Sequence, residues 1–497
     1  MQKAVRIHPD DNAAVALKDL RSGTVLDIEG LSVTLKEDIK GGHKFALKDI
    51  EEGERVIKYG FPIGSAKEKI PEGTHIHTHN LMTLLKDNLE YTYEPVEGKA
   101  EVSELREGER FFEGYMRSDG RAGVRNEIWI VPTVGCVNNI AREIEENSKK
   151  YIGGNIDDIV AFNHPYGCSQ MGDDQENTRE ALSALITHPN AGGVLVLGLG
   201  CENSNIGVLK EKYLKDRDLS RVRFLQCQDV GDEVSEGTDI VRELAEKCRD
   251  LEREPVSMEK LVVGLKCGGS DGFSGITANP VVGRFSDILT AAGGSTILTE
   301  VPEMFGAETI LMGRAETEEV FDKTVKLIND FKDYFRSNNQ TIYENPSPGN
   351  KEGGISTLED KALGCTQKSG QGKVMDVLSY AEPLKTKGLN LLSAPGNDLV
   401  ASTALVLSGA QIVLFTTGRG TPFASAVPTV KISSNGVLAG KKKNWIDFDA
   451  GRLMEGKTLN ELGKELFNYV RSVAGGRRVK SEKGHRDLAI FKKGVTL

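Results

Sequence analysis

The chain has 497 residues, of which 38% are hydrophobic and 27% are charged, and its formal net charge is −10. That length predicts two or three domains, and the acidic balance argues against a nucleic-acid partner. No stretch reaches the roughly 18 consecutive apolar residues that a membrane span needs, so we expect no membrane partner. The seven cysteines are scattered, odd in number and without a C-x-x-C pair. They argue against a disulfide framework and predict a cytoplasmic protein.

Residues 1–95 have the features of a small all-β domain. Short apolar stretches at 24–28, 31–35 and 54–59 are separated by charged turns that contain glycine. The polar stretch that follows, with Pro95 and several glutamates, predicts a linker over residues 96–113.

From residue 114 onward, short buried strands alternate with helical stretches. The predicted strands fall at 128–134, 158–162, 193–197 and 222–225 in a first series, and at 261–265, 295–299, 389–392 and 411–415 in a second. Helices are predicted over 138–150, 174–187 and 315–335, and a loop over 344–357. This alternation is typical of a mostly parallel sheet. We therefore predict a mixed α/β fold, with a larger body in two segments, 114–252 and 256–497.

The sharpest local motif is THIHTHN at residues 74–80, which holds three of the eight histidines. In a strand, His75, His77 and His79 would share one face, at intervals of roughly 6–7 Å. Neutral imidazole is a common ligand of divalent metals, so the motif predicts metal or substrate binding. The alternatives are a solvent-facing strip and a set of hydrogen-bonding side chains at a loop.

Polar clusters follow most of the predicted strands, where ligands bind in parallel sheets. Among these clusters are HPYGCSQ at 164–170, GLGCEN at 198–203, KCGGSDG at 266–272 and TTGRGTP at 416–422. None of them is a nucleotide fingerprint or a nucleophile elbow, so we expect no nucleotide cofactor. Four glycine-adjacent cysteines, Cys168, Cys201, Cys267 and Cys365, are either small buried residues beside tight turns or a shared thiolate site for iron.

Long motifs give the chain a resemblance to the altronate/galactarate dehydratase family. They are GYMRSDGRAGVRN at 114–126, LKCGGSDGFSG at 265–275 and TPFASAVPTVKISSN at 421–435, together with HPYGCSQ and GLGCEN. The first domain resembles a SAF (β-clip) domain that carries the THIHTHN motif. The ending KNWIDFDAG at 443–451 is more similar to the altronate branch of the family than to the galactarate branch.

The resemblance implies a hydro-lyase of hexuronate catabolism that converts D-altronate to 2-dehydro-3-deoxy-D-gluconate and needs Fe(II) or Mn(II). Removing the C2 proton and the C3 hydroxyl requires a base, an acid and a stabilised enolate. For acid–base chemistry we predict His77, His79, His164 and Glu202. For metal binding we predict His75, His77 and His79, with Cys168, Cys201, Cys267 and Cys365 as the alternative set. For substrate binding we predict Asn80, Arg121, Arg125 and Arg419.

Two other functions are compatible with these residues. A galactarate dehydratase would need a second anion site, for which Arg117 is a further candidate beside the other arginines. A non-catalytic protein that binds a sugar acid would leave the density of Cys, His and Glu at strand ends unexplained. In each case the partner is a small sugar acid, and the sequence leaves open whether the chain forms a homo-oligomer.

Overall fold

The computed structural model describes residues 2–85, 90–98, 105–342, 346–484 and 486–493. Its strands are β1 (Ala4–Val5), β2 (Ala13–Ala16), β3 (Val25–Ile28), β4 (Leu31–Thr34), β5 (Lys44–Ala46), β6 (Arg55–Lys58), β7 (Phe61–Ala66), β8 (His75–Ile76), β9 (Leu81–Met82), β10 (Phe111–Met116), β11 (Ala122–Gly123), β12 (Glu127–Pro132), β13 (Ile159–Ala161), β14 (Ala191–Gly198), β15 (Val222–Gln226), β16 (Glu254–Ser257), β17 (Val262–Cys267), β18 (Ser295–Leu298), β19 (Val374–Leu378), β20 (Gly388–Leu392), β21 (Ile412–Thr417), β22 (Thr429–Ser433) and β23 (Phe448–Asp449).

The α-helices are α1 (Asn138–Ser148), α2 (Gly172–Ile186), α3 (Ile206–Val208), α4 (Glu233–Cys248), α5 (Ala278–Ala291), α6 (Glu308–Gly313), α7 (Glu318–Ser337), α8 (Pro348–Glu352), α9 (Leu358–Thr366), α10 (Asp398–Leu407), α11 (Gly436–Lys441) and α12 (Leu459–Ala474). Among the described residues, no helix combines the length and hydropathy that crossing a membrane requires.

The N-terminal domain consists of short antiparallel strands in three small sheets, β1-β2-β5-β8, β3-β4 and β6-β7-β9. Two of its hairpins turn through two residues with positive φ, Glu29–Gly30 and Tyr59–Gly60, as a two-residue turn between twisted strands requires. The second of these turns brings the Tyr59 hydroxyl close to Gly275 of the C-terminal domain. The small β domain therefore packs against the body through the tip of a hairpin.

The body contains two parallel sheets, one in each predicted segment. The first has the order β13-β12-β14-β15 and the second has the order β19-β20-β18-β17-β21-β22-β23. Their inner strands are mostly apolar and almost wholly buried, because helices cover both faces, whereas the edge strands β15 and β19 are only partly buried. Helices α2 and α10 pack against each other, so the two sheets share a hydrophobic cluster that includes Trp129, Leu182 and Leu405.

The predicted mixed α/β fold is confirmed, and each predicted strand of the body corresponds to an observed one. The loop predicted over 344–357 is wrong in part, because a five-residue helix, α8, lies within it; residues 343–345 are outside the described residues. A capping box between Ser347 and Asn350 stabilises this short helix despite its Pro and Gly content. Of the predicted linker, residues 99–104 are likewise outside the described part of the chain.

Candidate active site

The candidate site lies at the carboxyl ends of β17 and β21, where the strand order of the larger sheet reverses. Loops from these two neighbouring strands leave in opposite directions, which opens a crevice in parallel sheets. The loops contact each other, since Gly268 N donates to Thr416 O at 3.0 Å and Arg419 N donates to Gly269 O at 3.0 Å. A Cβ atom on Gly268 would lie 2.5 Å from Phe415 Cζ and 2.7 Å from Asp398 Oδ1, so a larger residue here would displace these side chains.

The N-terminal domain docks on this crevice. Gly272 N donates to Gly353 O at 2.7 Å, and a Cβ atom on Gly272 would lie only 1.9 Å from Gly42 O of the β domain. Backbone segments of two domains therefore pass each other here at the closest distance that glycine permits. The GGSDG part of the KCGGSDG cluster has a structural role in this approach.

A buried ion triad holds the two domains together. Asp360, at the start of α9, accepts from Lys44 Nζ at 2.9 Å and from Lys58 Nζ at 3.0 Å. Burial alone would raise the pKa of Asp360, but the two ammonium groups hold it well below its usual range. Burial lowers the pKa of Lys44 to about 8. Lys44 Nζ also donates to Gly354 O at 2.7 Å, so one side chain connects the β domain to both α9 and the loop before it.

Four imidazoles form a cluster at this junction, and one of them, His43, was not predicted. The ring centroids of His43 and His75 are 5.1 Å apart, those of His75 and His77 are 5.4 Å apart, and those of His75 and His79 are 5.6 Å apart. His43 precedes β5, which pairs with β8 and so brings it beside the motif. The predicted strand over the whole motif is wrong, because β8 ends at Ile76 and residues 78–80 form a turn.

Asn80, predicted to bind substrate, accepts from His77 N at 3.0 Å and donates to His75 O at 2.8 Å. These two bonds pull the chain into the turn and end the strand. Because the turn folds back, His79 still lies beside His75 although the strand has ended.

Hydrogen bonds fix the ring orientation of two of these histidines. His77 Nε2 donates to Lys351 O at 2.9 Å, and His43 Nε2 donates to Glu352 O at 3.2 Å. A neutral ring that donates from Nε2 carries its lone pair on Nδ1. Burial lowers the pKa of His43, that of His75 to about 3 and that of His77 to about 4, so all three rings are neutral at neutral pH.

Arg419 reaches the same segment that the histidines contact. One of its terminal nitrogens donates to Gly349 O at 3.1 Å and to Glu352 Oε2 at 3.0 Å. Its side chain is partly exposed, so the guanidinium is open to a ligand. The structure therefore brings Arg419 and the histidine motif, which are 340 residues apart in the sequence, to the same segment.

A cavity of about 340 Å³ adjoins this segment and contains several charged groups. Its lining includes Cys267, Glu300, Glu303, Lys361 and Asp398, and also Asn350, whose amide donates to Ser270 O at 2.8 Å. The volume is within the range of ligand sites for small molecules. Three cations pair with these acids or lie close to them: Lys361 Nζ is 2.8 Å from Glu303, Lys266 Nζ is 2.5 Å from Glu300, and Lys368 lies beside Cys267.

Cys267 and Glu300 lie so close together in this cavity that a negative charge on one disfavours a negative charge on the other. The Cys267 sulfur lies 3.5 Å from the Cys365 sulfur and 3.5 Å from Glu300 Oε2. The pKa of Cys267 is held well below its usual range because Cys365 donates its S–H and two lysines lie near. Burial raises the pKa of Glu300 well above its usual range, and the neighbouring thiolate raises it further. Glu300 is therefore a carboxyl group able to hold a proton inside the cavity.

The other predicted residues lie elsewhere. His164 and Glu202 are buried in the second domain: His164 Nε2 donates to Pro132 O at 2.7 Å, and Glu202 accepts from Gly200 N at 2.6 Å. Arg121 pairs with Asp119, and Arg125 is buried against Glu482 at 2.7 Å. The alternative set of four cysteines does not form one site, because Cys267 and Cys365 are a buried pair of the C-terminal domain while Cys168 and Cys201 are exposed on the second.

No sequence signal marks Lys361 or Lys368, since buried lysines look like surface lysines in a sequence. Within the described ranges, no three His, Cys, Asp or Glu side chains are arranged to hold one metal ion. The histidine cluster nevertheless has the donor chemistry for one. Its rings are neutral, His43 Nδ1 lies 3.0 Å from His75 Nε2, and two rings donate their other N–H to a backbone carbonyl, as metal-binding histidines usually do.

Three family models match successive parts of the chain. They are the altronate/galactarate dehydratase SAF domain over residues 2–84, the D-galactarate dehydratase/altronate hydrolase second domain over residues 114–249, and the D-galactarate/altronate dehydratase C-terminal domain over residues 258–496.

Whole-chain relatives agree with these matches. Altronate dehydratase of Bacillus subtilis (strain 168) is 55% identical, with 100% of each chain covered, and altronate dehydratase of Escherichia coli (strain K12) is 52% identical, with 99% of each covered. Galactarate dehydratase (L-threo-forming) of Escherichia coli (strain K12) is 34% identical, with 98% of this chain and 96% of its own length covered. The resemblance predicted from the motifs is confirmed, and the chain belongs to the altronate/galactarate dehydratase family.

Proposed function

We propose that this protein is an altronate dehydratase, a hydro-lyase that removes water from D-altronate and forms 2-dehydro-3-deoxy-D-gluconate. One observation carries the choice of substrate. Identity to the two altronate dehydratases is 55% and 52% over essentially the full chain, whereas identity to the galactarate dehydratase is 34%. A pathway of hexuronate catabolism would supply this substrate, and the seven free thiols suit a reducing compartment such as the cytoplasm.

The reaction requires three functions from the site. A base takes the C2 proton, which is weakly acidic beside a carboxylate, and an acid protonates the departing C3 hydroxyl. Positive charge or hydrogen-bond donors must stabilise the enolate that forms between these steps. The cavity and the histidine cluster together contain groups of all three kinds.

We propose that His43, His75 and His77 hold a divalent cation, Fe(II) or Mn(II). Bound there, the cation would act as a Lewis acid on a carboxylate or hydroxyl oxygen of the substrate. Support comes from the donor chemistry of the cluster: three rings are neutral, and two are oriented by the carbonyls of Lys351 and Glu352. His79, the most exposed of the four, is then left to move a proton.

The remaining roles follow from position and charge. Arg419 is a partly exposed cation on the segment that His43 and His77 also contact, and we assign it to the substrate carboxylate. Glu300, with its raised pKa, is the candidate acid for the departing hydroxyl. Lys266 Nζ lies 2.5 Å from Glu300 and fixes its position, and Lys361 Nζ lies 2.8 Å from Glu303 and offsets its charge, so that an anionic acid can enter.

The test is turnover with a panel of aldonates and aldarates. The full chain, purified and supplied with Fe(II) or Mn(II), is incubated with D-altronate, galactarate and other hexonates, and 2-keto-3-deoxy product is measured. We expect the highest kcat/KM for D-altronate and loss of turnover after chelation. Faster conversion of galactarate would overturn the substrate assignment, and full turnover after exhaustive chelation would overturn the metal.

A further inference from the structure

The second domain carries every exposed cysteine of the chain. Cys136, Cys168 and Cys201 are exposed, whereas the other four cysteines are buried. The three exposed thiols follow β12, β13 and β14, which are adjacent strands of one parallel sheet. Free cysteine is among the most buried residue types, so three exposed thiols at one sheet edge indicate a function.

Direct hydrogen bonds join the three loops that carry these thiols. Gly135 N donates to Tyr166 O at 2.9 Å, which connects the loop of Cys136 to that of Cys168. Ser169 N donates to Asn203 Oδ1 at 2.9 Å, and Ser204 N donates to Gly167 O at 3.2 Å. The loop of Cys168 therefore contacts both of its neighbours, and the three thiols lie on adjacent segments of one edge.

Buried polar groups beneath the edge hold the loops in place. His164 donates to Pro132 O from one ring nitrogen and accepts from Tyr166 N with the other, at 2.7 and 3.2 Å. Glu202 accepts from Thr133 Oγ1 at 2.5 Å and from Gly200 N at 2.6 Å. Such supporting contacts preorganise a site before its ligand arrives.

We propose that Cys136, Cys168 and Cys201 bind an iron–sulfur cluster. Thiolates are the protein ligands that iron–sulfur clusters use, and all three thiols lose their protons on binding. As they stand, the side chains of Cys136, Cys168 and Cys201 are not arranged to hold a single metal ion. A cluster separates its thiolates by its own iron and sulfide atoms, so its ligands need not approach one another in that way. With three protein thiolates, one iron of a four-iron cluster keeps a coordination position open for an oxygen ligand.

This site is distinct from the candidate active site. Every residue that lines the charged cavity belongs to the C-terminal domain, and the histidine cluster belongs to the N-terminal domain. The proposal therefore does not depend on the proposed dehydration. An experiment can contradict the iron–sulfur cluster without contradicting the dehydratase assignment, and the reverse also holds.

The test is anaerobic reconstitution of the full chain with ferrous iron and sulfide, followed by measurement of iron, acid-labile sulfide and visible charge-transfer absorption. We expect the wild-type chain to retain iron and labile sulfide together and to show the absorption. Cys136→Ser, Cys168→Ser and Cys201→Ser should each lose most of it. Cys248→Ala, a buried cysteine of the same domain, and the double change His75→Ala with His77→Ala should keep it.

A second measurement needs no variant. Alkylation of the reconstituted wild-type chain, read by mass spectrometry, should spare these three cysteines, and removal of iron should make all three reactive. Wild-type protein without labile sulfide after reconstitution, or equal alkylation of the three cysteines in both states, would overturn the proposal. Retention of the charge-transfer absorption in a chain that combines Cys136→Ser, Cys168→Ser and Cys201→Ser would also overturn the proposal.

Discussion

The surroundings of His77 fix both the orientation and the protonation state of its ring. Its Nε2–H donates to Lys351 O, its Nδ1 accepts from Thr78 Oγ1 at 3.1 Å, and burial lowers its pKa to about 4. We expect His77→Ala and His79→Ala each to lower kcat on D-altronate at least about 100-fold, the scale of a lost proton-transfer or metal-binding group.

The melting temperature is measured on the same samples, because a half-buried ring contributes little packing. His8→Ala, which removes an imidazole of the same domain outside the cluster, is the control and should keep normal turnover. If His77→Ala and His79→Ala were destabilised yet fully active, the cluster would have only a structural role.

Arg419 is the arginine that the structure favours for the substrate. Arg419→Ala should lower kcat/KM by an amount equivalent to about 2–4 kcal/mol of lost transition-state stabilisation. The reason is the loss of a charge-assisted hydrogen bond to the substrate carboxylate. Steady-state kinetics on D-altronate measure the change. Arg242→Ala, which removes a surface partner of Asp239, serves as the control. Kinetics equal to wild type in a folded Arg419→Ala chain would limit Arg419 to its structural contacts with Gly349 and Glu352.

At the scale of elements, α9 holds the N-terminal domain through Asp360. Asp360→Asn would leave Lys44 and Lys58 buried without a counter-charge. A change of this kind typically lowers the free energy of unfolding by about 3–5 kcal/mol. We expect a lower melting temperature and faster proteolysis between the β domain and the body. Asp376→Asn, which removes a partly exposed partner of Lys323, should have a far smaller effect.

The pKa of Asp360 is depressed in the fold, so this stabilisation is present above its unfolded value near 4 and is lost as the pH falls below it. A stable Asp360→Asn chain with unchanged proteolysis would show that apolar contacts alone hold the domain.

The sequence predicted elements well where one physical signal dominated. The eight strands predicted for the body are mostly apolar runs, because helices cover both faces of the two parallel sheets. Strands β19, β22 and β23 of the larger sheet were not predicted. The strand over THIHTHN was overextended, since alternation continues to residue 80 while the side chain of Asn80 ends the strand by bonding to His77 N. Helix α8 was missed because five residues with Pro and Gly carry no helical period.

Site residues that come together only through tertiary structure were the hardest to predict. His43 and His75 are 32 residues apart and meet because β5 pairs with β8, which no local pattern indicates. Glu303 and Lys361, 58 residues apart, meet inside a cavity whose lining comes from several loops. By contrast, the histidine motif was identified from its local spacing, and Arg419 from its place in a polar cluster after a predicted strand.

Across the whole molecule, buried histidines make stability sensitive to acid. Burial lowers the pKa of His188 to about 3 and that of His164 to about 4, both below the unfolded value near 6.5. The unfolded chain therefore binds more protons below about pH 6.5, and stability falls as the pH drops through that value. Each histidine should lower the free energy of unfolding by up to about 2 kcal/mol between about pH 6.5 and about pH 5.

The measurement is the melting temperature of the wild-type chain and of His188→Gln at about pH 7 and about pH 5. The variant should lose less stability on acidification than the wild type, and His8→Gln should lose as much as the wild type. Identical acid sensitivity of His188→Gln and the wild type would contradict this assignment.

The contact between His43 and Glu352 O joins residues 309 positions apart, with one partner near the start of the chain and the other in its last third. At about 5–20 residues per second, a ribosome needs roughly 15–60 s to travel between them. For most of that time, once residue 84 has left the ribosome, the β domain is outside with Lys44 and Lys58 unpaired, because Asp360 has not yet been made. The domain cannot take its docked position, and the histidine cluster cannot complete its contacts, until the segment that ends at Asp360 has been made. A chain released before residue 351 has been made leaves the imidazoles of the cluster exposed to solvent, even when its β domain is correctly folded.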